Sequence, residues 1–252
     1  MQTKSDIIIS VVIPTYNRSG FLKYAIESVL RQKWGVVDNA WELIVVDDAS
    51  VDDTQSIIKN YCNASDGHVK TIRHDFNKGI AWTLNTGFRA SSGQYICWLS
   101  DDDMWFDNKI AIQYPLMEEN KHIPLSYSDY IAKDTRHNTL KYCQVYEFKN
   151  RVDAIKRLFK DCFINGSTIM IRKEALEKLG YMSEEEKNRW NQDLHFWFCL
   201  LIEYPEILYI PKPLVKRTNH AAMLSQKWCG VGNDILFPEI SKKCLEAGIN
   251  IL

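Results

Sequence analysis

The chain has 252 residues, with 31 lysines and arginines against 32 aspartates and glutamates, and a formal net charge of −1. Its 46% hydrophobic and 12% aromatic content suits a globular protein with a substantial core, which excludes a disordered chain, a collagen-like repeat and a small disulfide scaffold. Because there is no basic excess, we do not expect nucleic-acid binding as the main function.

The first hundred residues alternate predicted strands and helices. Apolar, β-branched runs predict strands at 7–13, 41–46, 69–73 and 95–99, and apolar residues at helical spacing predict helices at 21–30, 54–61 and 81–90. Each strand is apolar throughout, which is typical of a parallel sheet covered on both faces. In such sheets ligands bind at the carboxyl ends of the strands.

The second half is less regular. Helices are predicted at 109–119, 152–159, 173–179 and 184–203, and strands at 125–131, at 168–171 and, as one edge of a hairpin, at 139–148. Pro205, Pro211 and Pro213 are expected to interrupt regular structure after the last of these helices. With no repeat or long linker, the second half is interpreted as an elaboration of the same compact domain.

The acidic residues are unevenly distributed. Twelve aspartates but only two glutamates precede residue 111, against six aspartates and 12 glutamates after it. Aspartate suits turns, helix N-caps and hard-cation binding, so the first half is expected to place short carboxylates in its loops. The alternative is a simple abundance of strand-to-helix turns.

Cysteine usage and hydropathy indicate the compartment. The seven cysteines never form Cys-x-x-Cys and mostly lie among apolar residues, which favours reduced thiols and argues against a structural zinc site. The N-terminus lacks the features of a signal peptide. The longest apolar run, 196–202, is far below the roughly 20 residues of a membrane span. We therefore expect a cytoplasmic chain whose membrane association is at most peripheral.

Three consecutive aspartates, Asp101, Asp102 and Asp103, end the fourth predicted strand. Like charges at this spacing repel, and burial penalises each of them, so a divalent cation is an economical compensation. The frame Asp101-x-Asp103 puts two carboxylates on one side of an extended chain. Mg²⁺ usually completes its shell with water and phosphate oxygens, which implies a diphosphate ligand. The alternative is a solvated turn that caps the helix beginning near Asn108.

Two further strands end on the same predicted rim. Asp47 and Asp48 end the second strand, and one of them is expected to accept hydrogen bonds from a base or ribose, whereas Asp52 or Asp53 caps the next helix. The first strand ends in a loop that offers backbone amides and an aromatic ring, with the sequence Pro14, Thr15, Tyr16, Asn17. Neither G-x-G-x-x-G after the first strand nor G-x-x-x-x-G-K-[ST] is present, which argues against a dinucleotide dehydrogenase and a P-loop NTPase.

Four motifs in order carry a family resemblance: VIPTYN at 12–17, ELIVVDDAS at 42–50, NKG at 77–79 with NTG at 85–87, and GQYI at 93–96 leading to DDD at 101–103. The chain resembles an inverting glycosyltransferase of family 2 over residues 1–110, and more loosely to residue 225. The resemblance implies the α/β GT-A fold, a Rossmann-like, mostly parallel sheet flanked by helices, with a smaller acceptor-side elaboration.

The same resemblance implies a nucleoside-diphosphate sugar donor, with UDP favoured, and a Mn²⁺ or Mg²⁺ cofactor. Residues 1–110 would bind the nucleotide sugar, residues 111–225 would bind the acceptor and supply the base, and 226–252 would form a C-terminal tail. Thr15 and Tyr16 would border the nucleobase, Asp48 would accept from uracil or its equivalent, and Lys78 would approach the base or the diphosphate.

The metal motif departs from the family pattern. The family commonly has D-S-D-D where this chain has Ser100 before its three aspartates. By the resemblance, Asp101 would face the ribose, and either Asp102 or Asp103 would ligate the metal. His220 and Ser225 resemble a late motif that closes over the diphosphate, and His220 is the further candidate metal ligand.

On the acceptor side, Asn165 to Thr168 resembles the acceptor loop, and Gln192-Asp193 stands where the family has Glu-Asp at a helix start. Asp193 is the expected general base, with a helix N-cap as the alternative. Gln192 removes one charge from the family pattern, which bears on acceptor selection.

The predicted activity is a metal-dependent, inverting transfer to a hydroxyl of a glycan or lipid-linked acceptor in bacterial surface polysaccharide synthesis. A nucleotidyltransferase is the first alternative, although the loop at 14–20 has Arg18 as its sole basic residue. A non-catalytic sugar- or protein-binding module is the second, with a platform formed by tryptophans such as Trp98, Trp105, Trp190 and Trp197.

The C-terminal segment 234–252 has apolar residues roughly on one face, with Lys242 and Lys243 nearby. This pattern is compatible with a peripheral membrane helix or a homodimer helix. Packing back on the domain is favoured.

Overall fold

The computed structural model describes residues 7–189, 191–220 and 233–251. Trp190, Ser225, Cys229 and the tail residues 226–232 lie outside this part of the chain. Its strands are Ile9–Thr15 (β1), Trp41–Asp47 (β2), Val69–Arg73 (β3), Tyr95–Trp98 (β4), Met104–Trp105 (β5), Leu125–Asp134 (β6), Thr139–Cys143 (β7), Met170–Arg172 (β8) and Leu208–Asn219 (β9). Its α-helices are Ser19–Leu30 (α1), Thr54–Ala64 (α2), Ile80–Ala90 (α3), Lys109–Glu119 (α4), Arg151–Leu158 (α5), Lys173–Lys178 (α6), Gln192–Glu203 (α7) and Asn233–Glu246 (α8).

One sheet organises the fold, with strand order β3-β2-β1-β4-β8-β6-β9-β5 and with β7 paired to β6. The four strands predicted in the first half pair in parallel, as expected from their continuous apolar character. β8 then runs antiparallel to β4 and to β6, whereas β9 runs parallel to β6 and antiparallel to β5. The carboxyl ends of β1, β2 and β4 therefore lie on one rim.

The sheet separates two hydrophobic clusters, so β1 and β2 are buried along their whole length. Along β1, Ile9, Val11 and Ile13 face one cluster and Val12 faces the other, because successive side chains of a strand point to opposite faces. The six cysteines within the described ranges are free thiols, of which Cys97 and Cys244 are buried.

The tail helix α8 packs on the domain. Leu236, Ile240 and Cys244 are buried, and the Phe237 ring lies 4.9 Å from that of Phe159 and 6.2 Å from that of Phe198, centroid to centroid. The segment thus packs on the domain through these side chains, whereas its Ile235 and Leu245 are exposed. In the part of the chain that the structure describes, every helix is too short or too polar to span a bilayer.

The long strand β9 is the main departure from the sequence prediction, because it contains Pro211 and Pro213, which were expected to interrupt the structure. Prolines have no N–H donor, and the β6–β9 pairing accommodates them with register shifts around Asp129. The buried Asp129 carboxylate accepts hydrogen bonds from Val145 N–H and from the Tyr209 hydroxyl, both at 2.7 Å.

Two other predicted elements begin later than expected. The helix predicted from residue 184 starts at Gln192, preceded by a 3₁₀ turn at Glu186–Asn188, because the charged first half of that segment has no apolar face to bury. The strand predicted from residue 168 starts at Met170, after a 3₁₀ turn at Gly166–Thr168. Strand β5 was not predicted from the sequence, because two residues are too few to show an alternating hydrophobic pattern.

Close packing at Gly93 fixes the start of β4 against β1. Gly93 N–H donates to Ser10 Oγ at 2.8 Å, and Ser10 Oγ donates to Glu42 Oε1 at 2.7 Å. A Cβ at Gly93 would lie 2.6 Å from the Ser10 backbone nitrogen. Backbone atoms do not yield as a flexible side chain does, so this position requires glycine.

We expect Gly93→Ala to lower the free energy of unfolding by about 1–3 kcal/mol through overpacking. Urea denaturation measures the change. Gly20→Ala is the matched control, because a Cβ at Gly20 meets nothing within 4 Å and alanine has the higher helix propensity. Equal destabilisation by the two variants would show that the contact with Ser10 does not matter.

Candidate active site

A cleft of about 1520 Å³ opens at the carboxyl ends of β1, β2 and β4. Most of the residues predicted to form the site line it, namely Pro14, Thr15, Tyr16, Asp48, Lys78, Asp101, Asp102, Asp103 and Asp193. The fold therefore brings together side chains from both halves of the chain. Asn17, Asp47 and His220, by contrast, do not line the cleft.

The first aspartate of the triplet is held by the loop after β1. Thr15 Oγ1 donates to Asp101 Oδ2 at 2.8 Å, and Arg18 Nη1 lies 3.2 Å from Asp101 Oδ1. Burial raises the pKa of Asp101 to about 7, against the lowering effect of the Arg18 charge. The sequence analysis gave Arg18 no role in this site, although its place directly after the Pro-Thr-Tyr-Asn motif is a signal that could have identified it.

Asp102 contacts Arg18 Nη1 and lies 3.0 Å, Oδ2 to Nε2, from His220. The His220 ring stacks on Phe21, with centroids 4.8 Å apart. Within the described ranges, no cluster of three or more His, Cys, Asp or Glu side chains is arranged to hold a metal ion. The Asp102 carboxylate nevertheless offers oxygen donors of the kind that suit Mn²⁺ and Mg²⁺, and His220 would be a neighbouring nitrogen donor.

Asp103 has a different environment, because both of its carboxylate oxygens accept hydrogen bonds from the protein. Ser167 Oγ donates to Oδ2 at 2.6 Å, and Thr218 N–H donates to Oδ1 at 3.0 Å. Burial, followed by the charge of Asp102, raises the pKa of Asp103 to about 7. This carboxylate joins the turn at Gly166–Thr168 to β9. Of the two residues that the sequence left open as the metal ligand, Asp103 therefore has both carboxylate oxygens engaged by the protein.

At the carboxyl end of β2, on the same rim, Asp48 holds the loop that follows β3. Its carboxylate oxygens accept from Lys78 N–H and Gly79 N–H, each at 2.9 Å, and one of them lies 2.7 Å from His74 Nδ1. Gly79 has φ of 90°, a conformation that favours glycine. The Lys78 ammonium lies 5.6 Å from the Phe76 ring centre, at the same lip of the cleft.

Asn17 and Asp47 lie behind the residues that line the cleft. Asn17 Oδ1 accepts from Val51 N–H at 2.8 Å, and Asn17 N–H donates to Ser50 Oγ at 2.9 Å. The fully buried Asp47 accepts from Ser50 N–H and from Arg73 Nη1, both at 2.9 Å. These contacts tie the loop after β1 to the loop after β2, so we assign both residues to positioning the loops that do line the cleft.

Asp193 is the second residue of α7 and faces the cleft. Asn191 occupies the N-cap position, although Asp193 Oδ1 also accepts from Leu194 N–H at 2.8 Å. Burial raises the pKa of the Asp193 carboxyl, against this hydrogen bond and the charge of Arg217. A raised pKa makes a carboxylate a better proton acceptor.

Arg217, to which no role was assigned from the sequence, also reaches the cleft. Strand β9 carries it there, and its charge lowers the pKa of both Asp193 and Asp103 against their burial. Its guanidinium lies 5.9 Å from the Tyr130 ring centre. Arg217 therefore links the electrostatics of the two carboxylates.

Among the described residues, Trp98 is the one of the named platform tryptophans that lines the cleft, and Trp82, which is 42% exposed, lines it as well. Trp197 is fully buried in the core, and Trp105 donates from Nε1 to the Ser167 carbonyl at 2.9 Å. Trp98 lines the cleft, where a Cβ at Gly166 would lie 2.5 Å from its ring. The acceptor loop predicted at Asn165 to Thr168 thus rests on Trp98.

Comparison with known proteins adds sequence relatives. The model of the family described as Glycosyl transferase family 2 matches residues 10–180. An uncharacterized glycosyltransferase of Rickettsia prowazekii is 30% identical over 221 residues, which is 85% of this chain and 65% of that protein. The Escherichia coli UDP-Glc:alpha-D-GlcNAc-diphosphoundecaprenol beta-1,3-glucosyltransferase WfgD is 26% identical over 78% of this chain and 70% of its own length.

A putative teichuronic acid biosynthesis glycosyltransferase of Bacillus subtilis, TuaG, is 28% identical over 77% of this chain and 72% of its own length. Among solved structures, Staphylococcus aureus TarS 1–349 with UDP-GlcNAc has a TM-score of 0.77 at 18% identity, covering 97% of this chain and 68% of that one. A Pyrobaculum calidifontis mannosyltransferase with GDP-Man and Mn²⁺ has a TM-score of 0.67 at 14% identity, covering 95% and 74%. These likenesses confirm the predicted GT-A fold.

The contacts of Asp103 predict a structural penalty for its removal. Asp103→Ala leaves the buried Ser167 hydroxyl and Thr218 N–H without their acceptor, so we expect a loss of about 2–4 kcal/mol in the free energy of unfolding. Asp53→Ala is the control, because Asp53 is exposed and makes no capping hydrogen bond with α2. Thermal and urea unfolding of the two variants measure the difference, and a loss in Asp103→Ala no larger than in the control would contradict the joining role.

Proposed function

The chain belongs to glycosyl transferase family 2, and we propose that it moves a sugar from a nucleoside-diphosphate donor, with UDP-sugars favoured, to a hydroxyl of a glycan or lipid-linked acceptor, inverting the anomeric carbon. The observation that carries this proposal is one cleft lined by both Asp102 and Asp193, with His220 Nε2, which does not itself line the cleft, 3.0 Å from Asp102 Oδ2. One relative is named for transfer from UDP-glucose and another for teichuronic acid biosynthesis, and both names support a role in surface polysaccharide synthesis.

Donor binding is assigned to the rim formed by β1, β2 and the loop after β3. Tyr16 is 44% exposed at the cleft, so its ring is available to a nucleobase. Asp48 holds the backbone of Lys78 and Gly79 and thereby presents the Lys78 side chain to the base or the diphosphate. Asp101, fixed by Thr15 and Arg18, is assigned to the ribose side.

Asp102 and His220 would hold the divalent cation, Mn²⁺ or Mg²⁺. When bound, such an ion neutralises the charge that develops on a departing diphosphate. Arg18 shares Asp102 with His220, so the cluster already carries one fixed cation beside the proposed ligands.

The chemical step that we propose is a single displacement. Asp193 takes the proton of the acceptor hydroxyl, whose oxygen forms a bond to the anomeric carbon while the bond from that carbon to the donor's diphosphate oxygen breaks. The nucleoside diphosphate leaves on the opposite side of the sugar, so one attack inverts the configuration. The raised pKa of Asp193 suits it to receive the proton.

The surroundings of Arg18 weigh against a nucleotidyltransferase. In the loop at 14–20 this arginine is the sole basic residue, and it is paired with Asp101 and Asp102, so it is not presented to a triphosphate.

The Escherichia coli relative is named for an acceptor linked to undecaprenol diphosphate. For an acceptor of that kind, we propose peripheral contact with the inner face of the cell membrane.

Asp193→Asn tests the assigned base. We expect transfer to fall by roughly 10²- to 10⁴-fold, while the rise in melting temperature caused by UDP-sugar with Mn²⁺ stays as in the wild type. Transfer requires deprotonated Asp193, so its rate should rise with pH through the raised pKa of this carboxyl, above the ordinary value of 3.8. Turnover like that of the wild type in the variant would remove Asp193 as the base.

The metal assignment is tested on donor binding. UDP-glucose, UDP-GlcNAc, UDP-galactose and GDP-mannose are screened by thermal shift, where a ligand of the native state raises the melting temperature. We expect a UDP-sugar to stabilise the wild type more strongly with Mn²⁺, and Asp102→Asn to lose the Mn²⁺-dependent part.

The exposed Asp107 gives the control variant Asp107→Asn, which should keep the full Mn²⁺ effect. A Mn²⁺ effect retained by Asp102→Asn would exclude Asp102 as a ligand. Absence of donor hydrolysis with every sugar nucleotide, with or without Mn²⁺, would favour a non-catalytic binding module over an enzyme.

A further inference from the structure

A second cavity, of about 370 Å³, lies outside the cleft. Within the described ranges, the two share no lining residue. Four charged residues line the second cavity: Arg31 and Lys33 in the segment after α1, Asp107 after β5, and Lys216 on β9. Three positive charges and one negative charge surround this space, which leaves a surplus of two positive charges.

Hydrogen bonds hold the walls of this cavity in place. The buried Gln32 donates from Nε2 to the Phe106 carbonyl at 2.8 Å and accepts, at Oε1, from Ile110 N–H at 3.1 Å. Lys33 N–H donates to the Asp107 carbonyl at 2.8 Å. The segment after α1 and the segment after β5 are thus fixed against each other, so the cavity is formed before any ligand binds.

Strand β9 directs two neighbouring cations to different sites. Lys216 pairs with Met104 of β5, so their side chains lie on the same face of the sheet, and both residues line the second cavity. Arg217 lines the cleft instead, because successive side chains of a strand point to opposite faces. Lys216 is therefore not one of the cations available to a ligand in the cleft.

The cations of the second cavity retain unused hydrogen-bond donors. Within the part of the chain that the structure describes, the ammonium groups of Lys33 and Lys216 make no hydrogen bond or ion pair. Arg31 lies 3.7 Å from both the Glu27 and the Asp107 carboxylates, which is beyond hydrogen-bond distance. Exposed ion pairs of this kind contribute little to stability, so they do not prevent Arg31 from binding an incoming anion.

These groups determine the ligand by charge and by hydrogen bonding. Lysine and arginine side chains only donate, so the ligand must present acceptors. A carboxylate supplies one negative charge, whereas a phosphate monoester carries about −1.5 to −2 at pH 7 and has three acceptor oxygens, which matches the positive surplus of the cavity. The cavity has room for about a dozen waters at roughly 30 Å³ each, so it also admits an organic group beside the phosphate.

We propose that Arg31, Lys33 and Lys216 form a second binding site, and that its ligand is a phosphate monoester. The site is separate from the cleft, so the proposal does not depend on the proposed sugar transfer. Asp107 opposes the charge of the ligand and thereby limits its affinity. The same chemistry occurs on small soluble molecules and on the headgroup of phosphatidic acid, and the two assays below separate these sources.

Isothermal titration calorimetry with glycerol 3-phosphate tests the soluble source, with acetate as the monoanionic comparison. We expect the wild type to bind glycerol 3-phosphate more tightly than acetate. Lys33→Gln and Lys216→Gln should each weaken this binding by roughly five- to twentyfold, because each removes a charged hydrogen-bond donor, whereas Asp107→Asn should strengthen it. Lys212→Gln is the charge-matched control, exposed on the same strand and outside the cavity lining, and it should leave the affinity unchanged.

Cosedimentation with vesicles tests the lipid source. Vesicles of phosphatidylcholine are compared with vesicles that also contain phosphatidic acid. Binding that requires phosphatidic acid, and that falls in Lys33→Gln and Lys216→Gln but not in Lys212→Gln, assigns the site to lipid headgroups. The same pattern of variants in the titration with glycerol 3-phosphate assigns it to soluble phosphate monoesters.

Any of four results overturns the proposal. The first is the absence of binding in both assays, and the second is acetate binding as tight as that of glycerol 3-phosphate. The third is phosphate binding that is unchanged in both cavity variants, which would locate the phosphate elsewhere, as in the cleft. The fourth is an equal loss of binding in Lys212→Gln, which would show that only the total charge of the protein matters.

Discussion

The close packing of three adjacent carboxylates after β4, of which Asp101 and Asp103 are buried and Asp102 is partly exposed, is the constraint on which the rest of the molecule depends. Neighbouring negative charges inside a protein are tolerated only when each has its own compensation, since the loss of hydration costs several kcal/mol per ion. Here each aspartate is held by a different pair of groups: Thr15 and Arg18 for Asp101, Arg18 and His220 for Asp102, Ser167 and Thr218 N–H for Asp103. The loop after β1, the turn before β8 and the end of β9 are therefore fixed relative to one another by the same cluster.

This arrangement explains why the second half of the chain is built onto the first half's sheet. β9 must run beside β6 and reach β5 for Thr218 and His220 to meet the aspartates, and its register shifts around Asp129 absorb the two prolines that it contains. Asp48 performs a comparable task at the end of β2, where its carboxylate holds the loop after β3. Charged side chains that would be hydrated on an exposed protein surface hold the loops in place here.

The sequence predicted the parallel strands, because a strand buried on both faces is apolar throughout. It also predicted a site at their carboxyl ends, because the aspartates directly follow such strands. It also selected Asp48, Asp102 and Asp193, which line one cleft. It left open which of Asp102 and Asp103 would be the metal ligand, because the partners that distinguish them, such as Ser167 and Thr218, are remote in the sequence. Nor could it predict β9, since the local signal of Pro211 and Pro213 opposes a strand and only the tertiary pairing with β6 overrides it.

Although the chain as a whole is nearly neutral, the charges in the cleft are not fully balanced, and this affects the proposed donor. Arg18 and Arg217 compensate the aspartate triplet and Asp193 only in part, and burial raises the pKa of both Asp101 and Asp103 to about 7. A nucleoside diphosphate entering this cleft alone would add negative charge to buried carboxylates. A divalent cation held by Asp102 and His220, as proposed, would offset that charge. On this proposal, metal and donor would bind more favourably together than either would alone.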